Sequence, residues 1–158
     1  MSRSVRAALL LAGLLTAGLL TTSGVAADGG RKALDATMAG IPASLVGQVF
    51  QGATGGGLPW RLEDGRAKVF SNGHVVVEVE GLVLDAGANA GKNPIPTGRA
   101  LVACGGTVVA MSDPVPFSPT GDAEVDAWLS LPSPCLAPVV FFAGNTGAGP
   151  RWFAVTGF

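Results

Sequence analysis

The stretch from Gly65 to Leu84, GRAKVFSNGHVVVEVEGLVL, constrains the fold more than any other. Val75, Val77 and Val79 alternate with Val76, Glu78 and Glu80. That period of two marks a half-buried strand. Ser71-Asn72-Gly73 supplies the turn, and its length sets the register. A two-residue Asn-Gly loop would place Lys68 and Arg66 across from Val77 and Val79, so two cations would share the valine face. A three-residue loop sets Val69 against Val75, Ala67 against Val77 and Gly65 against Val79. Arg66 then stands across from Glu78 on the wet side. Only the second register satisfies both faces, because a slip of one residue inverts every side chain. The expectation is a three-residue turn with Gly73 in the left-handed region, where Gly73→Val would damage folding.

Residues 1 to 27 read as a signal peptide, separate from the fold. Arg3 and Arg6 form a positive start, Ala7 to Leu20 is an uncharged apolar run, and Val25 and Ala27 are small residues before a cut at Asp28. A membrane anchor is the competing assignment, but the run is short for a spanning helix, which needs ~20 residues. No Cys follows it, which argues against a lipoprotein. The chain carries 10 Lys and Arg against 11 Asp and Glu. Without Arg3 and Arg6, eight cations face those 11 acids, and no basic run suggests a nucleic-acid partner. No second apolar segment has spanning length, so no membrane span is expected after cleavage. The expected location is secreted, extracellular.

Cys104 and Cys135 are the only two cysteines, in a chain bound for an oxidising compartment. A disulfide between them is expected. By chain entropy it contributes roughly 3–4 kcal/mol against the unfolded state.

Gly at 24 and Pro at 11, few charges and many short β-branched runs favour an all-β domain rich in turns. Residues 28 to 57 read as a flexible lead-in: Asp28 to Gly40 is polar and small, Ile41 to Gln51 is a candidate first strand or loose helical turn, and Gly55-Gly56-Gly57 is a flexible break. Residues 58 to 158 read as the folded domain. After the hairpin, Arg99 to Cys104 and Thr107 to Met111 form a second pair of strands around Gly105-Gly106. Gly121 to Leu131 alternates again, with Ala123, Val125, Ala127, Leu129 and Leu131 on one face. Val139 to Ala143 and Trp152 to Thr156 are the last two strands. The count is about seven. No helices are available for parallel crossovers, so the expected fold is an antiparallel two-sheet sandwich, immunoglobulin-like, with a small β-barrel as the alternative.

Catalytic motifs fail on inspection. Between Asp85 and Pro94, Gly87 and Gly91 are too close for a P-loop, and Asn93 follows Lys92 where Ser or Thr is needed. As an EF-hand loop from Asp85, the sixth and twelfth positions hold Ala90 and Pro96. His74 is the one histidine, which argues against His-rich copper or zinc sites. It reads as an exposed residue beside the turn. No serine lies in a nucleophile elbow. No catalytic residue, metal site or cofactor is therefore assigned.

The sharpest polar cluster is Asp122, Glu124 and Asp126, with Trp128 on the same strand face. Such a row could hold Ca²⁺ with a neighbouring loop, or simply keep an edge soluble. As glycosidase acids, residues two apart at about 7 Å fit only the inverting spacing. Trp128 among carboxylates could stack on a sugar ring. These four residues are the candidate ligand face.

From Leu58 onward, the chain carries Leu58-Pro59-Trp60, Gly65-Arg66-Ala67, Glu80-Gly81-Leu82-Val83, Asn93-Pro94 and Pro116-Phe117-Ser118. It continues with Gly121-Asp122-Ala123, Leu131-Pro132-Ser133-Pro134-Cys135 and Trp152-Phe153-Ala154-Val155-Thr156-Gly157. With these segments it resembles a group of small secreted proteins of uncharacterised activity. The resemblance implies a compact secreted domain with one bridge, and it brings no catalytic residues. Two functions are carried forward. The first is a secreted, non-catalytic binding or structural domain, with a cell-surface polymer or protein as partner. The second is a small extracellular hydrolase or isomerase that uses carboxylates alone.

Overall fold

The computed structural model describes residues 30 to 157. The signal-peptide assignment, residues 1 to 27, lies outside them. Thirteen strands follow in chain order: β1 (Lys32–Gly40), β2 (Val49–Phe50), β3 (Ala53–Thr54), β4 (Trp60–Arg61), β5 (Asp64–Phe70), β6 (His74–Glu80) and β7 (Val83–Leu84), then β8 (Thr97–Cys104), β9 (Thr107–Met111), β10 (Val115–Pro116), β11 (Ala123–Trp128), β12 (Val139–Asn145) and β13 (Pro150–Thr156). Among the described residues the helical content is one short 3-10 turn at Ala43–Leu45.

Nine strands form one antiparallel sheet in the order β10-β8-β12-β13-β1-β5-β6-β11, with β9 also on β8. The ribbons β2-β3 and β4-β7 complete the set. β1 turns the sheet on itself. Its residues Lys32 to Thr37 pair with β5, and Met38 to Gly40 pair with β13. At the end of this switch Gly40 lies against the Trp60 carbonyl with no room for a Cβ. The two layers of a sandwich are thus halves of one curled sheet, a half-barrel. The all-β antiparallel class is as the sequence predicts, and the sandwich and barrel alternatives meet in it.

β5 and β6 pair Val69 with Val75, Ala67 with Val77 and Gly65 with Val79, the predicted register. Gly73 has φ +89° and donates its N–H to the Phe70 carbonyl at 3.0 Å. Val69, Val75, Val77, Val79 and, from β11, Val125 form one buried valine face. Burying each contributes roughly 1.5–3 kcal/mol.

From residue 30 to 57 the expected lead-in, with its possible first strand, is part of the fold. Leu34, Ala36 and Met38 alternate with Asp35 and Thr37, so β1 is an amphipathic strand at the centre of the sheet. Residues 41 to 57 then cover the outer side of β12 and β13, which accounts for the unbroken burial of Val140 to Gly144 and Trp152 to Thr156. Phe50 packs edge-on against Phe141, and Trp152 Nε1–H donates to the Ala53 carbonyl at 3.2 Å. Gly55 and Gly56 are close-packed, not loose: a Cβ on Gly55 would strike Ile41 and the Leu45 carbonyl. The inner side of the same strands carries a second aromatic group. Trp60 stacks on Phe153 with centroids 4.2 Å apart, and Phe117 meets Phe142 edge-on at 5.0 Å.

The expected disulfide is present. Cys104 and Cys135 are bonded, with Cα atoms 5.1 Å apart. The bond ties the end of β8 to the segment entering β12, beside a hydrogen bond from Gly105 N–H to the Leu136 carbonyl.

Candidate functional site

β11 pairs along β6 from Ala123↔Val79 to Trp128↔His74. Its outward positions are Glu124, Asp126 and Trp128, with Asp122 just before the strand, as the alternation predicts. The four share a face but do different work. Asp122 is structural. Its Oδ1 accepts the Gly81 N–H at 3.0 Å, and its Oδ2 accepts the hydroxyls of Thr120 at 2.6 Å and Ser118 at 3.0 Å. These donors, Thr120 foremost, hold its carboxyl below the usual carboxylate range. Glu124 lies directly across from Glu78. Like charges placed so oppose pairing by a few tenths of a kcal/mol.

Arg66 lies across from Glu78 and feels its charge, but makes its hydrogen-bonded ion pair elsewhere. Its guanidinium reaches the other way, to Asp35 on β1, at 2.7 Å. Lys32 joins the same carboxylate at 2.5 Å. The hydrogen bonds from Arg66 and Lys32 hold Asp35 down to about 2.

The last pair of the ladder builds the site. Leu129 N–H donates to the Gly73 carbonyl, so Trp128 and His74 form a non-hydrogen-bonded pair, the kind whose side chains stand closest. Their rings stack with centroids 4.7 Å apart and planes 19° from parallel. On its other side His74 stacks on Phe70 at 5.4 Å and 21°. His74 Nε2–H donates to Asp126 Oδ1 at 2.9 Å, which fixes the imidazole between the two rings. Three rings thus stand in a row across β5, β6 and β11. Trp128, at the open end, is 68% exposed. Trp60 and Trp152 are buried in the core.

His74 is therefore not an isolated turn residue. It joins Phe70, Asp126 and Trp128, a grouping that no single segment of sequence announces. The pairing of β6 with β11 makes it, across 52 residues of chain between His74 and Asp126. A hint was present in the alternation: three rings, each at the turn-side end of its strand, with outward parity.

Clefts flank the row at both ends. Beside Phe70 lies one of about 270 Å³, lined by Arg31, Lys32, Ser71 and residues 131 to 135. Beside Trp128 lies a groove of about 400 Å³. Its walls are Val125 to Leu129 on one side and Met111, Ser112, Asp113 and Val115 on the other. Both depressions lined by the acids of β11 are open to solvent. Among the described residues no three His, Cys, Asp or Glu side chains gather around a metal-sized site.

The loop from Asp85 to Thr97 is held from within. Asn93, buried, donates Nδ2–H to the carbonyls of Ile95 and Ser118, both at 2.8 Å, and its Oδ1 accepts the Ile95 N–H at 2.8 Å. Comparison with protein-family models, curated proteins and solved structures gave no match.

Proposed function

We propose that this protein is a non-catalytic binding domain acting at the cell exterior, with the turn-side end of β11 as its ligand face. The observation that carries this is Trp128. A large indole is left 68% exposed while its imidazole neighbour is locked by Asp126 and backed by Phe70. An exposed aromatic held in one orientation loses little entropy when a ligand covers it, and such residues anchor interfaces. Its face away from His74 opens toward the groove that Asp126 and Asp113 line. The disulfide suits an oxidising compartment, and the likeness to small secreted proteins supports the same location.

Catalysis fits this face less well. Among the described residues no hydroxyl or thiol nucleophile is bonded to the His74–Asp126 pair, and the acids stand in open depressions.

The test uses the purified, disulfide-bonded protein with a glycan array, insoluble cell-wall polysaccharides and a random peptide library. The expected result is a ligand whose binding weakens at least tenfold, ~1.4 kcal/mol, in Trp128→Ala. That ligand should also protect Trp128 from acrylamide quenching. Ligands that bind wild type and Trp128→Ala equally would remove the face.

A further inference from the structure

Resting on that binding role, we propose the class of partner: an extended, basic peptide segment that adds as a strand to the free edge of β11 and lies in the groove beside it. Among the described residues β11 pairs with β6 alone. Leu129 turns its N–H toward β6, so by alternation Glu124, Asp126 and Trp128 turn theirs away from it. The backbone groups of these three residues form an open ladder.

The chain itself leaves that ladder unpaired. The segment from Thr107 to Pro116 follows β8 as β9 and β10, and a turn at Ser118 to Gly121 brings the chain back as β11. Strands so joined would ordinarily pair and close the barrel. Phe117 turns its N–H toward Pro96, on the β8 side, so the alternate position in β10, Pro116, faces β11. Proline has no N–H to give. The two strands therefore splay apart, and the groove lies in the gap. Apolar side chains are exposed on both banks: Trp128 on one, Met111 at 47% on the other.

Charge selects the occupant. Asp113, Glu124 and Asp126 are set along the seam. The nearby cation, Arg99, points its Nη1 at Met111 Sδ, 3.2 Å away. A second copy pairing β11 to β11 antiparallel would set these acids against each other, which disfavours pairing. An extended peptide with Lys or Arg at alternate positions would meet them instead, and the same outward row would reach Trp128, while its other side chains turn to the inner side of the groove beside Val125 and Ala127. Main-chain bonds would give affinity, and the alternate pockets selectivity.

The experiment screens a bead-bound library of random nine-residue peptides, with soluble polysaccharides as a separate arm. Amide hydrogen exchange of the protein is followed by NMR. The expected peptides are rich in Lys or Arg at every second position. They slow exchange of the Glu124, Asp126 and Trp128 amides at least tenfold. N-methylation at alternate peptide positions abolishes binding, and the double variant Asp113→Asn/Glu124→Gln, which leaves the ring stack intact, weakens it at least tenfold. Peptides that bind without protecting those amides, or without basic enrichment, overturn the proposal. So does concentration-dependent protection in the protein alone, which would assign the edge to a second copy. A polysaccharide that shields Trp128 while the amides exchange freely sinks the peptide partner and keeps the binding face. If neither arm engages Trp128, both fall.

Discussion

Gly73 and Gly147 offer a matched pair for weighing backbone strain against steric contact. Their φ angles are +89° and +88°. Alanine at either position carries the strain of holding a Cβ in that region, about 1–3 kcal/mol. At Gly147 the new methyl meets nothing within 4 Å. At Gly73 a Cβ lies under 3.0 Å from the Leu129 carbonyl oxygen, closer than real Cβ atoms approach. The turn must move away from β11, which endangers the 2.8 Å bond from Leu129 N–H to the Gly73 carbonyl. That bond contributes about 0.5–1.5 kcal/mol, and overpacking adds about 1–3 kcal/mol. Gly73→Ala should therefore cost about 2–4 kcal/mol more than Gly147→Ala. Urea unfolding at pH 7 with the disulfide intact gives both values from the midpoints, provided m is unchanged. Gly73→Ala should also loosen the His74–Trp128 stack and raise acrylamide quenching of Trp128. Equal midpoints would show that the turn does not bear on β11 as described, and the origin of the ring row would fall with it.

Other outcomes follow from the same structure. Asp35 has a folded pKa of about 2 against an ordinary 3.8, so its contribution to stability is complete above pH 3.8 and is lost as pH falls through 2. NMR titration should place its midpoint near 2, and Arg66→Gln should raise it. Replacing Cys104 and Cys135 together with alanine should lower stability by roughly 3–4 kcal/mol, read by urea unfolding. Asn93→Ala strands the Ile95 N–H and the Ser118 carbonyl and should cost about 2–4 kcal/mol in the same assay.

The hairpin was legible because both of its faces carry unambiguous chemistry, valine inward and charge outward. The alternation of β11 and the cysteine pairing were legible for similarly local reasons. β1 was obscured by its composition. Ala33, Ala36 and Ala39 are small, and a strand whose burial comes from neighbours on both sides needs no large side chains of its own. Residues 41 to 57 looked loose because glycine signals flexibility and close packing with the same letter. At Gly55 it is packing. The ring row was hidden because Phe70, His74 and Trp128 meet only through long-range pairing. Arg66 stands across from Glu78 as the register predicts, but its ion pair with Asp35 was hidden because a long side chain also reaches diagonally to the next strand. The seam beside β11 was hidden because it depends on which way the absent N–H of Pro116 would point, and that follows only from the pairing of β10 with β8.

β1 and β13 lie side by side at the middle of the sheet, with Met38 paired to Thr156. The earliest described strand pairs early with β5 but finds its second neighbour only when the last strand exists. A chain still being made has no complete centre to fold around. Its disulfide cannot substitute, because Cys104 and Cys135 both lie in the later half and leave β1 untethered. Folding of the whole sheet is thereby deferred until the chain is entire.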